Sequence, residues 1–547
     1  MRVDAIYHGG RFWTQDAAHP VAGAVAVQRG RIIAVADDPA ELGGLTPARR
    51  VDLRGAFVAP GFNDAHAHTA WYGKSLIEIP LATPPLRTLD DLYDRIARAA
   101  AEQPPGTWII AGGYEQTKLG GGHPHRRELD RVAGAHLVWL KHYSGHMAVV
   151  NSRVLAAIGD APVPDGGVVE RDADGEPTGL LQEQAQGLVQ ALVYPSPVDE
   201  LTDAVARAHR TYLAEGITSC QEAGVGGGWV GESPVEVEAY RRLRDRGELR
   251  VRTTLMPVAE ALHPLPARAE DHMDVGLDLG IRSGFGDDWL ALGAVKLFAD
   301  GAVGGRTAAM HDDFADDPGN RGYLQNSEEW LRATITAAHR SGWQIASHAI
   351  GDRAVDVILG IYAGMLRDHP RTDARPRIEH CGVVSPEAFD AIRRLGVVPV
   401  PQGRFIGALG DRVRTILGER RAGWYYRQRS FVDAGVPLAG SSDRPVVDGA
   451  PLRAIHDMVN QRTDEGDAFN PAEALTAAQA LRVYTLGSAY AAHQENDRGA
   501  ITAGRLADFC VLADDLTTVD AAKIKDVGVL ATVVGGDLAY DDAGFGA

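Results

Sequence analysis

Two histidines one residue apart, His66 and His68, follow an apolar run and a Pro-Gly turn in residues 57–71, FVAPGFNDAHAHTAW. Side chains two positions apart on an extended strand share a face, so both imidazoles can point at one spot. Neutral imidazole nitrogens are ligands for zinc and related divalent ions, which need three or four such groups. Because an HxH pair also arises by chance among 19 histidines, a metal site requires further ligands.

Four more polar residues could complete such a site: Lys296, His348, His380 and Asp443. A carboxylate such as Asp443 can bind an ion and accept a proton from water, although an aspartate in a Ser/Asp turn can also simply cap a helix. A lysine ammonium is repelled by divalent ions. We therefore expect Lys296 to be a neutral amine or a carbamate formed with CO₂, unless it pairs with an acid such as Asp300.

Short apolar segments that alternate with helical stretches are expected to position these residues. This alternation predicts parallel βα units. The candidate strands cover residues 57–68, 216–224, 250–258, 292–301, 343–352, 376–382, 396–403 and 436–446. Eight strands with covering helices is the count of a (β/α)₈ barrel, in which reacting groups lie at the carboxyl ends of the strands. The polar candidates are then expected to meet at one rim.

The rest of the chain has a different texture. Residues 1–56 and 491–547 consist of short alternating runs with turn residues, which predict hairpins of one small β-sandwich domain formed from both termini. The barrel is expected over 57–490. The gap between its first and second strands is too long for a plain loop, so we predict an α/β insertion at about 73–196.

The composition narrows the class of partner. The formal net charge of -18 disfavours binding to nucleic acid or to an anionic membrane. Three cysteines without a CxxC pair fit a reducing compartment. Since neither a signal-like segment nor an apolar run of roughly 20 residues is present, we predict a cytoplasmic protein that acts on a small molecule.

Five motifs in this order, PGFNDAHAH, VKLFADGAVGGRTAAM, SHAIGDRAVD, RIEHC and SSDRPV, give the chain a family resemblance. It resembles the amidohydrolase superfamily, specifically the YtcJ-like (amidohydrolase 3) branch. The resemblance implies a distorted (β/α)₈ TIM barrel with a β-sandwich, and metal-dependent hydrolysis of carbon-nitrogen bonds other than peptide bonds. It implies a carboxylated lysine that bridges two ions, and assigns ligand roles to His66, His68, Lys296, His348, His380 and Asp443.

In the implied arrangement, His66, His68 and Asp443 bind the more buried ion, and His348 and His380 hold the second. One or two divalent ions are expected, with zinc preferred over manganese, iron or cobalt. Metal-activated hydroxide would attack the carbonyl carbon of an amide, formamide or related substrate, while Asp443 passes the proton to the departing amine. N-substituted formamide deformylation is the nearest named activity of this branch.

Two other functions remain open at this point. A mononuclear zinc deaminase of a nitrogen heterocycle would use similar ligands without a modified lysine. A non-catalytic regulatory or binding protein could retain the barrel, but six polar groups without metal would be costly to bury. Family membership also suggests a homodimer.

Four residues are candidates for substrate contact: Arg306, His146, Glu222 and Trp71. Arg306 follows the strand that carries the lysine, but it could equally form a surface ion pair. His146 lies in the insertion expected to cover the barrel mouth, where a core hydrogen bond is the alternative. Glu222 follows the second strand. Trp71 could line an apolar pocket or pack beneath the insertion.

Overall fold

The computed structural model describes residues 1–228 and 230–546. The strands are β1 (Arg2–Trp13), β2 (Val21–Gln28), β3 (Arg31–Ala36), β4 (Thr46–Asp52), β5 (Phe57–Pro60), β6 (Phe62–Ala67), β7 (Ile79–Pro80), β8 (Trp108–Tyr114), β9 (Leu137–His142), β10 (Met147–Val150), β11 (Gly167–Arg171), β12 (Pro177–Glu183), β13 (Ile217–Val225), β14 (Arg252–Pro257), β15 (His263–Pro264), β16 (Val275–Gly276), β17 (Leu290–Leu292), β18 (Val295–Phe298), β19 (Ile345–Ala349), β20 (Arg377–His380), β21 (Val398–Val400), β22 (Phe509–Leu512), β23 (Val529–Val534) and β24 (Asp537–Asp541).

The α-helices lie mainly between the strands of the central region and in the insertion. They are α1 (Thr69–Ser75), α2 (Leu89–Glu102), α3 (Arg126–Ala133), α4 (Ser152–Ile158), α5 (Gly187–Val193), α6 (Val198–Ala214), α7 (Val237–Asp245), α8 (Glu328–Arg340), α9 (Asp352–Asp368), α10 (Pro386–Leu395), α11 (Arg404–Ala422), α12 (Gln428–Asp433), α13 (Pro451–Asn460), α14 (Ala477–Arg482) and α15 (Ser488–Ala491). Within the described ranges, none of these helices combines the length and apolar character needed to span a bilayer.

Both ends of the chain contribute to one small β-domain. Its strands follow the order β24-β23-β22-β5-β1-β2-β3, and β4 pairs with β1. The hairpins β1–β2, β2–β3, β22–β23 and β23–β24 are antiparallel, as the alternating sequence predicts. However, β1 pairs in parallel with β4 and β5, so the sheet is mixed. Apolar side chains such as Tyr7, Phe12 and Phe509 form its core.

The predicted first barrel strand is divided in two. The turn at Pro60 and Gly61 separates β5, which belongs to the terminal sheet, from β6, which begins the barrel. A Cβ atom at position 61 would lie 2.2 Å from the side chain of Thr218, so a glycine allows the two segments to approach closely. Residues 57–60 therefore join the β-domain, and the predicted limit at 56/57 lies before this strand instead of after it.

The central region is a distorted (β/α)₈ barrel. Strands β6, β13, β14 and β17 are parallel neighbours, as are β18, β19, β20 and β21. Strands β17 and β18 are two parts of one interrupted strand, because only residues 293–294 separate them, so the ring has eight members when residues 440–444 are included. Parallel bridges from Val258 to Lys296 and from Gln402 to Ser441 connect these two groups with each other and with residues 440–444. The barrel is distorted because these junctions are isolated bridges instead of continuous ladders.

The ring closes where residues 440–444 meet β6. The amide of Asp443 donates to the carbonyl of His66 at 2.7 Å, and the amide of His68 donates to the carbonyl of Arg444 at 3.0 Å. These contacts join the last barrel segment to the first. They also place the side chains of this segment beside the histidines of β6.

Helices and an insertion surround the barrel. Ser327 and Ser385 cap the N-termini of α8 and α10, and Gly396 ends α10 in the left-handed region with φ 65°. The insertion carries the sheet β11-β12-β10-β9-β8-β7 with its own apolar core. It lies between α1 and α6 in the chain, as the long gap predicted.

Candidate metal centre and substrate cavity

The barrel brings the six predicted ligands together. His66 and His68 lie at the end of β6, Lys296 in β18, His348 in β19, His380 at the end of β20, and Asp443 in the closing segment. All six are buried. The ring centroids of His348 and His380 are 4.4 Å apart, and those of His66 and His380 are 5.1 Å apart. Parallel strands therefore deliver these side chains to one rim.

Three of these residues are close enough to share one ion. The candidate ligand atoms of His66, His380 and Asp443 all lie within 4.8 Å of one another. Oδ1 of Asp443 is 3.3 Å from Nε2 of His66 and 3.2 Å from Nε2 of His68. Two imidazoles and a carboxylate are a donor set suited to zinc and related ions.

Two neighbours fix the orientation of the histidine rings. Nδ1 of His66 donates to Oε2 of Glu379 at 2.6 Å. Nδ1 of His380 lies 2.8 Å from Oε1 of Gln402, whose amide nitrogen donates to a carbonyl and a hydroxyl elsewhere, so that Oε1 acts as the acceptor. Each ring keeps the lone pair of Nε2 for another partner. This is the arrangement by which proteins orient metal-binding histidines, and the site therefore fits a divalent ion.

The other two histidines are also suited to the neutral state. Burial lowers the pKa of His68, and within the described residues its Nδ1 has no hydrogen-bond partner. Burial and the neighbouring His380 hold the pKa of His348 well below its usual value. Nε2 of His348 lies 3.1 Å from the carbonyl of Gly301, which acts as the acceptor of its proton. Neutral imidazole is the form that binds metal.

Lys296 points into the same cluster. Its Nζ is 3.5 Å from Nε2 of His66 and 4.6 Å from the centroid of the Phe298 ring. Burial lowers the pKa of Lys296 to about 8, which makes the neutral amine accessible. Asp300 is not its partner, because that carboxylate accepts backbone N–H groups at 2.8 to 3.0 Å from Ala309, Ile350 and Gly351.

Asp443 is held in the ionised form. Burial raises the pKa of a carboxyl group, but the adjacent side chains of His66 and His68 outweigh burial and leave the pKa of Asp443 well below its usual value. An ionised carboxylate can bind a cation and accept a proton.

Glu379 and Gln402 were missed at the level of sequence. Glu379 is completely buried and is paired with Arg377, whose Nε donates to Oε1 at 2.8 Å. The signal was an Arg and a Glu two positions apart in the short strand RIEH, directly before the candidate ligand His380. Gln402 follows the apolar strand β21 in the same manner as the ligands follow theirs.

A cavity of about 770 Å³, partly open to solvent, begins at this cluster. One face of α11 contributes much of its apolar wall, through Phe405, Ala408, Leu409, Val413 and Ile416. Charged residues line it as well, namely Glu115, Lys118, Asp411 and Arg412. A small molecule in this cavity can therefore pack an apolar substituent against α11 while its reacting group lies beside the cluster of metal-binding candidates.

The insertion reaches this cavity through His146. The His146 ring lies 5.5 Å from that of His348, and the residue lines the cavity together with His380 and Asp443. Nδ1 of His146 donates to Oε2 of Glu183 at 2.7 Å. Burial lowers the pKa of His146, but the Glu183 carboxylate outweighs burial and the net shift is upward.

The other three substrate candidates lie elsewhere. Arg306 forms an ion pair with Asp316 at 2.5 Å and is not among the residues that line this cavity. Glu222 and Trp71 line a second cavity. Trp71 connects the two regions, because its ring lies 5.6 Å from that of His68.

The chain is similar to known proteins along nearly its whole length. A model of the amidohydrolase family matches residues 49–540. The chain is 29% identical to YtcJ of Bacillus subtilis (strain 168), over 98% of this chain and 100% of that protein. It is 31% identical to the N-substituted formamide deformylase of Arthrobacter pascens, over 97% of each. A metal-dependent hydrolase from Pyrococcus horikoshii OT3 aligns with a TM-score of 0.74 and 26% identity, over 94% of this chain and 99% of that one.

The family match covers the barrel and the β-domain strands β5, β22 and β23, whereas β1, β2 and β3 precede it, and the ligand cluster lies where the barrel strands end. The chain belongs to the amidohydrolase family.

Proposed function

We propose that the protein is a metal-dependent hydrolase that cleaves a carbon-nitrogen bond other than a peptide bond, in an amide, formamide or related small molecule with an apolar substituent. The observation that carries the proposal is the cluster of His66, His380 and Asp443, whose ligand atoms lie within 4.8 Å of one another beside an apolar cavity. Relatives named as a formamide deformylase and a metal-dependent hydrolase support it.

The chain would hold its ions with two groups of residues. His66, His68 and Asp443 would bind one ion, and His348 and His380 a second, with zinc as the preferred metal. A divalent ion in this position supplies Lewis acidity, which polarises a carbonyl group and activates water.

Lys296 would join the two groups as a carbamate. The neutral amine attacks CO₂, a nitrogen-carbon bond forms, and one proton leaves to solvent. The product is an anion that can bridge two cations, in contrast to an ammonium, which would be repelled. The position of Nζ, 3.5 Å from Nε2 of His66, supports this assignment.

Asp443 would move the proton that hydrolysis requires. Its carboxylate accepts the proton from the attacking water and donates it to the nitrogen that leaves. The low pKa of Asp443 favours the ionised form needed for the first of these transfers.

A substrate panel with metal-loaded enzyme tests the proposal. N-substituted formamides, acyl amides and amino-heterocycles are assayed for amine or ammonia release. We expect turnover of carbonyl-nitrogen compounds with apolar substituents, and a fall in kcat of at least about a hundredfold in Asp443→Asn. Asp368→Asn, which changes an exposed aspartate on α9, serves as the charge-matched control. Unchanged turnover in Asp443→Asn contradicts the mechanism.

A mononuclear deaminase is the second candidate. It is favoured by the fact that His66, His380 and Asp443 form a ligand group for a single ion. Metal stoichiometry separates the two functions, as does ¹³C NMR of protein equilibrated with ¹³CO₂. A carbamate signal that disappears in Lys296→Met, with two ions bound per chain, supports the amidohydrolase; one ion and no such signal support the deaminase.

A further inference from the structure

A second cavity lies on the other side of Trp71 from the metal centre. Its space, counted together with the part open to solvent, is about 590 Å³. Trp71 lines this cavity, while its ring also lies 5.6 Å from that of His68. Gly145 makes the close packing possible, because a Cβ atom there would lie 2.6 Å from the Trp71 ring. The proposed hydrolysis makes no use of this cavity.

Aromatic rings form part of its wall: Trp71, Trp139 and Tyr194. Two of these rings already carry a cation of the protein itself. Nζ of Lys141 is 4.5 Å from the centroid of Trp139, and Nζ of Lys74 is 4.3 Å from that of Tyr194. Ammonium groups are attracted by the faces of such rings. The wall is therefore chemically suited to cations.

The carboxyl groups around the cavity outnumber its ion pairs. Lys74 is paired with Glu232 at 2.6 Å, and Lys141 with Glu78 at 2.5 Å. Each of these two cations is thus already matched by a carboxylate. Two further glutamates line the cavity, Glu222 and Glu236.

Among the described residues, the hydrogen-bond donors to these two glutamates are uncharged. Glu222 accepts from the amide of Thr69 and the hydroxyl of Tyr240, both at 2.7 Å. Glu236 accepts amide N–H groups of Gly226 and Glu232 through Oε2, both at 3.2 Å. These hydrogen bonds satisfy carboxylate oxygen atoms, but they bring no positive charge to either glutamate.

Burial makes it costly to ionise these two glutamates without a cation nearby. Glu222 and Glu236 are each 2% exposed. Burial raises the pKa of Glu222 to about 7, and burial together with Glu222 raises that of Glu236 to about 8. A cation in the cavity would offset the free-energy cost of ionising these groups away from water.

Trp139 supplies an independent sign of a ligand. The residue is 2% exposed and lines the cavity, and its indole N–H has no hydrogen-bond partner in the described parts of the chain. Most buried N–H groups in folded proteins have an acceptor. A ligand that brings an oxygen atom would provide one.

We propose that this second cavity binds a small organic ammonium ion whose chain also carries an oxygen acceptor, such as a protonated amino ether or amino alcohol. The ammonium group lies near Glu222 and Glu236, the oxygen accepts from Trp139, and the apolar body packs against Trp71. This is a binding site beyond the proposed hydrolysis, and it can be tested without turnover.

The test uses isothermal titration of the metal-loaded enzyme with three probes of matched shape. 2-Phenoxyethylammonium has both the charge and the oxygen, 2-phenoxyethanol lacks the charge, and 3-phenylpropylammonium lacks the oxygen. We expect one site per chain for the first probe and at least about tenfold weaker binding of 2-phenoxyethanol. Glu236→Gln should weaken binding of the first probe by a similar factor, whereas the control Glu238→Gln, at a partly exposed position of α7, should not.

Two further variants localise the site. Trp139→Phe should remove the preference for 2-phenoxyethylammonium over 3-phenylpropylammonium. Asp443→Asn should leave binding unchanged, because it alters the first cavity instead of the second. If Glu236→Gln does not fold, Glu222→Gln gives the same readout. Equal binding of the charged and neutral probes, absence of binding, or loss of binding in Asp443→Asn would overturn the proposal.

Discussion

Glu379 and His66 form a buried pair at the base of the ligand cluster, with Nδ1 of His66 donating to Oε2 of Glu379 at 2.6 Å. The same carboxylate is paired with Arg377 at 2.8 Å. Burial raises the pKa of Glu379, but Arg377 and His66 outweigh burial and hold the pKa well below its usual range. An ion at the cluster therefore depends on a carboxylate that does not touch it.

Replacing Glu379 should weaken metal binding. In Glu379→Gln the buried Arg377 loses its counter-ion and His66 loses its anionic acceptor. We expect metal affinity to fall about 10- to 100-fold and the free energy of unfolding to fall by about 3–5 kcal/mol. Titration with Zn²⁺ and urea denaturation measure the two effects. Glu238→Gln, at a partly exposed position of α7, is the control, and unaltered zinc affinity in Glu379→Gln would contradict the orienting role.

Removing the metal should lower thermal stability. Ions that bind the folded state alone stabilise it by about 2.7 kcal/mol at a concentration 100 times Kd. Protein dialysed against a chelator should therefore melt at a lower temperature, and Zn²⁺ should restore the melting temperature. Mg²⁺ is the control, since it prefers oxygen ligands. Identical melting of all three samples would argue against ion binding at the cluster.

Narrowing the first cavity should select against large substrates. Ala408 lies on the apolar face of α11 that lines this cavity. In Ala408→Phe we expect kcat/KM for N-benzylformamide to fall about tenfold or more, because overpacking costs about 1–3 kcal/mol, while N-methylformamide is affected less. Ala101→Phe, on the exposed side of α2, controls for the added ring. Equal losses of kcat/KM for both substrates would contradict the assignment of this face of α11 as the wall that contacts the apolar substituent.

His209 should make the fold sensitive to acid. This histidine of α6 is 1% exposed, and neither ring nitrogen has a partner in the described residues. Burial lowers the pKa of His209 from 6.5 to about 3. A lowered folded-state pKa means that stability is complete above pH 6.5 and falls as the pH decreases toward 3, because the unfolded chain takes up the proton first.

At pH 4.5 this linkage should reduce stability by about 2–3 kcal/mol. Urea unfolding of wild type and His209→Leu at pH 7.5 and 4.5 measures it, with metal-free protein used throughout. We expect a smaller loss in His209→Leu than in wild type. His272→Gln, at an exposed position, is the control. Parallel losses in wild type and His209→Leu would refute the assignment.

The shared rim of the candidate ligands was accessible from sequence because of strand geometry, whereas their roles as ligands came from the family resemblance. The carboxyl ends of parallel strands lie at one edge of the barrel, and so do the residues at those ends. His348 and His380 could therefore be assigned to the same rim as His66 without any knowledge of their contacts. The alternation of strands and helices predicted the barrel. The long gap between the first two barrel strands predicted the insertion.

What the sequence left open depends on distances between elements. The pairing of Glu379 with His66 requires the curvature of the barrel, which brings a residue of β20 across to β6. Arg306 follows the strand of Lys296 but turns away to Asp316, since the local path of the loop decides its direction. The Pro-Gly pair at 60–61 suggested a turn but not that the two sides belong to different sheets.

The seam between β6 and residues 440–444 has a consequence for biosynthesis. One wall of the ligand cluster is made early on the ribosome and its facing wall very late, since Asp443 pairs through its backbone with His66. A nascent chain therefore cannot trap its ion until the eighth barrel segment has emerged. An ion at this cluster would accordingly be bound only late in synthesis or after it, and prematurely terminated chains that end before this segment would lack one side of the site.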